Sequence, residues 1–248
     1  MMIAHLTDIH IGREGETPRG VPVRENFIGI LDEIAENGPD LLVLTGDVAL
    51  DTGEGEVYRW VYSVLESSGL NYQVLPGNHD DPTMVTECFG VRAGAAFRKG
   101  GAAHRRLSIK NEEILLLDMP KGIASEADLR GIRKELGDSR GSELLVFMHY
   151  PPVPMPVAHM EERYTLQGRE MVAEAFLSSG KRIHVFCGHY HAELTQEAEA
   201  LSVHITPSTY YQIHRLREAF TIEHQRPAWR FISRYEGRIT TGVRYREH

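Results

Sequence analysis

The chain of 248 residues has only two cysteines, Cys88 and Cys187, far apart in sequence. A disulfide framework is therefore excluded and a reducing compartment expected. No apolar run reaches membrane-spanning length, and the first residues, MMIAHLTDIH, meet polar groups too soon for a secretory leader. An excess of positive charge is missing as well: 27 Lys and Arg stand against 35 Asp and Glu, a formal net charge of −8. Binding to duplex nucleic acid or to an anionic membrane depends on clustered cations and is not expected. These absences point to a cytoplasmic protein.

What is present is ordinary globular composition, 42% hydrophobic and 25% charged, with no segment resembling a linker. One α/β domain over residues 1–248 is expected, long enough to bury a full core. Short Val/Ile/Leu-rich runs recur at 2–7, 40–45, 72–76, 144–148 and 183–187. Between them lie helical patterns. Phe27, Ile30, Leu31 and Ile34 keep i, i+3, i+4, i+7 spacing, as do Val57, Trp60, Val61 and Val64. Ser125 opens a capping box before Leu129, Ile132 and Leu136, and Met171 to Phe176 mark a further helix. Runs apolar on both faces, alternating with helices, predict a buried sheet system covered by helices.

The residues after each run carry the chemistry. They read DIH (Asp8, His10), GD (Asp47), GNHD (Asn78, His79, Asp80), H (His149) and GHYH (His189, His191). The carboxyl ends of strands form the rim where α/β sheets bind ligands. One histidine after a strand is usually a structural residue; suitable groups after five strands argue a shared site. Imidazole, carboxylate and amide donors without thiolate suit Mn, Fe or Zn rather than a Cys-rich structural zinc site. Seven candidate ligands exceed one tetrahedral ion and suit two. Two ions roughly 3.5–4 Å apart clamp the attacking and leaving oxygens of a phosphoryl displacement. Cys187, in an apolar run, reads as a buried small residue. His5, His184 and His204, inside strands, read as packing or surface residues.

The ordered set D-x-H, GD, GNHD, H, GHxH, complete here between residues 8 and 191, resembles the calcineurin-like metallophosphoesterase superfamily. FMHYPPVPM (147–155), FCGHYHAEL (186–194), TPSTYYQ (206–212) and PAWR (227–230) resemble its bacterial class III cyclic-nucleotide phosphodiesterases. The resemblance implies two facing mixed β-sheets flanked by helices, a four-layer α/β/β/α sandwich. It implies that Asp8, His10 and His191 hold one metal, that Asp47 bridges, and that Asn78, His149 and His189 complete the second. His79 resembles the catalytic histidine, Asn78 and His79 meet the phosphoryl group, and Asp80 is counted with His79 in the catalytic set as the residue that orients it or its turn. The implied reaction is attack of a metal-bound hydroxide on the phosphorus of a small phosphodiester, first of all 3′,5′-cyclic AMP. Glycerophosphodiesters, 2′,3′-cyclic nucleotides and phosphomonoesters are alternatives on the same scaffold. A non-catalytic interaction scaffold fits less well, since such a protein is expected to lack some ligands.

Outside these motifs, the loop 12–23 borders the site, where Arg13 or Arg19 is a candidate for phosphate. The segment 151–164 is expected to form a wall or lid, with His159 a candidate substrate contact. Tyr210, Tyr211 and His214 lie in an aromatic loop that packs or stacks on a base. Residues 228–246 read as a β-hairpin with Trp229, Phe231, Tyr235, Ile239, Val243 and Tyr245 on one apolar face. That hairpin closes the second sheet or supports a homo-oligomer.

Overall fold

The computed structural model describes residues 1–92, 104–119 and 121–247. From the N-terminus, β1 (Met2–Leu6), α1 (Val23–Asn37), β2 (Leu41–Thr45), α2 (Gly55–Ser67), β3 (Tyr72–Leu75) and α3 (Pro82–Phe89) alternate. The three strands pair in parallel, as connections through a helix require. Then β4 (His104–Ile109) and β5 (Glu112–Leu117) form an antiparallel pair. They are followed by α4 (Glu126–Asp138), β6 (Glu143–Phe147), α5 (Ala158–Arg163), α6 (Arg169–Leu177) and β7 (Arg182–Cys187). The remaining strands are β8 (Leu194–Ala198), β9 (Leu201–Ile205), β10 (Gln212–Ile213), β11 (Ile222–His224), β12 (Ala228–Tyr235) and β13 (Arg238–Tyr245).

Two large mixed sheets result, ordered β13-β12-β1-β2-β3 and β4-β5-β6-β7-β9-β8. Helices α1, α2 and α3 cover the outer face of the first through Phe27, Ile30, Val57 and Val61. Helices α4, α5 and α6 cover the second through Leu129, Ile132, Met160 and Phe176. Ile3, Val43, Leu145, Phe147, Phe186 and Ile232 fill the layer between the sheets. This is the four-layer α/β/β/α arrangement. The helix ends follow local chemistry. Gly38 leaves α1 at φ 59°, and Ser125 and Asp128 make a reciprocal capping box at α4, a device worth about 1 kcal/mol.

The C-terminal hairpin forms, but β12 pairs with β1 and so extends the first sheet, not the second. Its faces also differ from expectation. Trp229 is buried toward the helices, while Arg230 and Ile232 on the opposite parity are buried too, and Tyr235 is exposed. A strand covered on both sides has no single apolar face to read by alternation. Among the described residues no helix is long and apolar enough to cross a membrane.

Candidate metal centre

The parallel strands β1, β2, β3, β6 and β7 end at a common rim, and the chain turns sharply at most of those ends. Asp8 (φ 52°), His10 (φ 45°), Asp47 (φ 50°), His189 (φ 67°) and His191 (φ 45°) all take the left-handed region. Side-chain-bearing residues seldom do so unless the surroundings over-determine it. Gly46 reaches φ 93°, and a Cβ at Gly188 would collide with Thr7 and the Asp8 carboxylate. Gly188 is thus required by close approach and not by a left-handed turn of its own.

Two buried ligand groups form. Asp8, His10, Asp47 and His191 make one, and Asp47, His149 and His189 make the other, each with donor atoms within 4.8 Å of one another. Asn78 Oδ1 lies 3.1 Å from His149 Nε2 and joins the second. Backbone carbonyls hold the imidazoles: His149 Nδ1 lies 2.7 Å from Thr45 O, His189 Nε2 2.8 Å from Tyr164 O, and His191 Nδ1 2.9 Å from Tyr211 O. In each ring the bonded nitrogen donates its proton outward, leaving the other lone pair to face the centre. His10 Nε2 and His191 Nε2 stand 3.0 Å apart, two donor atoms converging on one point. This set of N and O donors, with Asp47 common to both groups, fits a dinuclear metal site.

The charges agree. Burial opposes ionisation of Asp8, but His191 beside it pulls its pKa down to about 2. Burial opposes that of Asp47 too, and His149 and His10 nevertheless hold it well below the usual carboxylate range. Burial works against charge on His149, which Asp47 raises to about 9, so this ring holds a proton on Nε2 beside Asp47 that an ion would displace. His10 and His189 go the other way, held at about 3 and about 4 chiefly by burial.

His79 stands at the mouth. Its backbone N–H donates to Asp47 Oδ1 at 3.0 Å, and its Nε2 lies 4.0 Å from Asp47 Oδ2. The Asp80 side chain turns to other partners. The Asp80 carboxylate accepts from the N–H groups of Val48, Ala49 and Gly77 and from the Tyr58 hydroxyl. It ties the GNHD turn to the Asp47 loop, which is the turn-orienting role expected of it.

A cavity of about 230 Å³ opens above this floor, walled by His159, Met160, Tyr164, Tyr211, Ile213 and Phe220. His159 therefore faces the site, its Nδ1 2.9 Å from Glu218 O. Arg13 does not. Its guanidinium pairs with Glu54 at 2.7 Å on the exposed surface, the nearer carboxylate having captured it. Arg19 instead packs against the wall, 5.1 Å from the Phe220 ring. Tyr210 lies behind the wall against His10, and His214 accepts from Leu216 N outside it. Sequence reasoning missed Phe220, which no strand-end motif marks; the only cue was an aromatic residue close to Tyr211. Cys187 is buried in the sheet with Sγ 3.6 Å from His204 O and belongs to neither group.

Residues 1–193 match the calcineurin-like phosphoesterase family. A protein of Fibrobacter succinogenes named as a probable cyclic nucleotide phosphodiesterase is 31% identical over 98% of this chain and 93% of its own length. The 3′,5′-cyclic adenosine monophosphate phosphodiesterase CpdA of Escherichia coli K12 is 28% identical over 97% of this chain and 88% of its own. Glycerophosphodiester phosphodiesterases also stand among the relatives, at 25% identity. In fold, a dimetal phosphatase from Danio rerio superimposes with a TM-score of 0.70 at 13% identity, covering 99% of this chain and 96% of that one. With its five strand-end motifs gathered into one buried Asp/His cluster, this chain belongs to the calcineurin-like phosphoesterase family.

Proposed function

We propose that the protein is a metal-dependent phosphodiesterase that hydrolyses 3′,5′-cyclic nucleotides, cyclic AMP first among them. The observation that carries this reading is the cavity itself, with metal-ligating groups and His79 on its floor and aromatic rings on its wall. A phosphodiester held at the floor places its ester substituent against His159, Tyr164, Tyr211 and Phe220. A flat heterocycle stacks there, whereas a glycerol arm leaves the rings unpartnered.

In this reading Asp8, His10 and His191 hold one ion and Asn78, His149 and His189 the other, with Asp47 shared; Fe, Mn and Zn all suit such donors. Two bound ions supply Lewis acidity at the phosphoryl oxygens and a water acidic enough to react near neutral pH. The protein's own groups do the rest. Asn78 and His79 would hold the phosphoryl group in line, so that as the oxygen of water bonds to phosphorus, losing a proton, the P–O bond to the ester oxygen opposite it breaks. His79 Nε2 then delivers a proton to the departing alkoxide, giving a nucleoside monophosphate.

The test is turnover by protein stripped of metal and reloaded with Mn, Fe or Zn, on 3′,5′-cyclic AMP, 2′,3′-cyclic AMP, glycerophosphoethanolamine and bis(p-nitrophenyl) phosphate. The expected result is metal-dependent hydrolysis with kcat/KM highest for the 3′,5′-cyclic compound. Preference for the glycerol diester would overturn the substrate assignment, and no metal-dependent hydrolysis of any diester would overturn the enzyme reading.

A further inference from the structure

The two halves of the candidate centre come from different sheets. Asp8, His10, Asp47 and Asn78 follow strands of the first, while His149, His189 and His191 follow strands of the second. Their convergence depends on how far apart the sheets stand at that rim. Behind the centre two side chains of the first sheet reach the second, Arg230 on β12, which donates to Ile205 O at 3.0 Å, and His5 on β1. His5 on β1 is 0% exposed, with Nε2 2.7 Å from Thr45 Oγ1 and Nδ1 2.7 Å from Thr206 Oγ1. Thr45 closes β2 in the first sheet, and Thr206 follows β9 in the second.

Both threonines are one step from ligands. The Thr45 carbonyl accepts from His149 Nδ1, and Asp47 lies two residues further on. Thr206 N donates to Cys187 O, just before the GHYH loop, and Ser208 Oγ donates to Asp8 O. The imidazole stands edge-on to Phe147 and Phe186, with buried Arg230 and His204 the other polar side chains near it. Packing alone would be served at lower desolvation cost by a leucine. The polar side chain is matched at both ends, which is how a buried polar group specifies registry.

The network also has a direction. Arg230 Nε donates to Thr206 Oγ1 at 3.1 Å, and a guanidinium can only donate. The Thr206 hydroxyl accepts from Arg230 and has one O–H of its own, for which His5 Nδ1 is the acceptor among the described residues. The ring proton then sits on Nε2 and points at Thr45. Burial, and next the Arg230 charge, hold the imidazole neutral, with its pKa pushed down to about 3.

We propose that His5 is a positioning residue, a neutral two-ended clamp whose bonds to Thr45 and Thr206 set the spacing of the two sheets and with it the affinity of the centre for metal. The proposal rests on the metal-dependent reading above. Its test is chelator-competition titration with Mn and Zn of wild type, His5→Leu, His5→Gln and Ile132→Ala, together with the unfolding temperature of each metal-free protein. His5→Leu keeps the volume and loses both bonds, His5→Gln keeps one donor and one acceptor, and Ile132→Ala weakens a core layer remote from the clamp.

The expected outcome is metal affinity weakened about 10-fold or more in His5→Leu, the range typical of losing an outer support of a metal site. His5→Gln recovers part of it, and Ile132→Ala lowers the unfolding temperature with affinity unchanged. Wild-type affinity in His5→Leu, or equal loss in Ile132→Ala, overturns the clamp and leaves the metal reading standing. Wild-type protein that binds no metal overturns both. Should His5→Leu fail to fold, Thr206→Val and His5→Gln carry the same comparison. Long-range ¹H–¹⁵N correlation on the wild type is expected to show His5 as the neutral Nε2–H tautomer, and an Nδ1–H or doubly protonated ring overturns the direction assigned to the network.

Discussion

Asp47 is the one carboxylate common to both ligand groups, and it also accepts the backbone N–H of His79. Removing it leaves His10 and His149 without their shared acid. Asp47→Ala is therefore expected to lose tight binding of both ions, and elemental analysis after dialysis is the check; an intact pair of ions in that variant would refute the bridging role. His79 differs, since it contacts the centre without belonging to either group. His79→Ala is expected to keep metal content near wild type while kcat falls by roughly 10²–10⁴, the usual contribution of a positioned acid. The contrast between the variants separates holding the ions from using them. Arg13 shows the limit of such reasoning from type and nearness in sequence: its charge is spent on Glu54, 41 positions away.

At the scale of elements, α5 is short and is held from one side by His159 and Arg163 against Glu218 O and from the other by Glu161. Glu161 accepts from Tyr190 Oη at 2.9 Å, Arg169 Nη1 at 2.7 Å and Met155 N at 2.7 Å. It thereby fastens the wall carrying His159, Met160 and Tyr164 to the tyrosine between His189 and His191. Glu161→Gln weakens these charge-assisted bonds, each worth about 1.5–3 kcal/mol. KM for 3′,5′-cyclic AMP is expected to rise several-fold while kcat and metal content hold, and steady-state kinetics beside metal analysis decides it. A fall in kcat at unchanged KM would assign Glu161 to the floor instead of the wall. The strand ends were legible in the sequence because each motif is local, an apolar run followed at once by its ligands. The capping box at Ser125 was legible for the same reason. The part of the wall that follows His149 was legible likewise, but Phe220 was not, because it meets Tyr211 and His159 only through tertiary packing. Nor was His5, whose two partners lie 40 and 201 residues away. The hairpin showed its turn at Glu236 and Gly237, yet its place beside β1 depends on which sheet edge is free, a property of the whole fold.

Taken as a whole, the molecule buries neutral histidines in its intersheet layer, and that makes it acid-sensitive apart from any metal. Burial sets the pKa of both His5 and His204 at about 3, against 6.5 for an ordinary histidine. Between those values the unfolded chain takes up protons that the native state refuses, so stability rises with pH across the window and is lost as pH falls through it. Each ring contributes a slope of up to about 1.4 kcal/mol per pH unit. Asp118 acts in the opposite sense. Burial, aided by Asp128 and Asp80, raises it to about 8 from 3.8, so the native state keeps a proton that the unfolded chain releases. Between those two values its contribution to stability falls as pH rises. Near pH 5 one ring and Asp118 offset each other and the second ring leaves a net acid loss. Urea unfolding of metal-free protein between pH 4.5 and 8 tests this, metal removal being needed because acid also releases ligands from the ions. His204→Gln is expected to flatten the acid limb, whereas Asp118→Asn steepens it and adds stability toward pH 8. Curves that run parallel to wild type in both variants would place the acid sensitivity elsewhere, in the ligand histidines themselves.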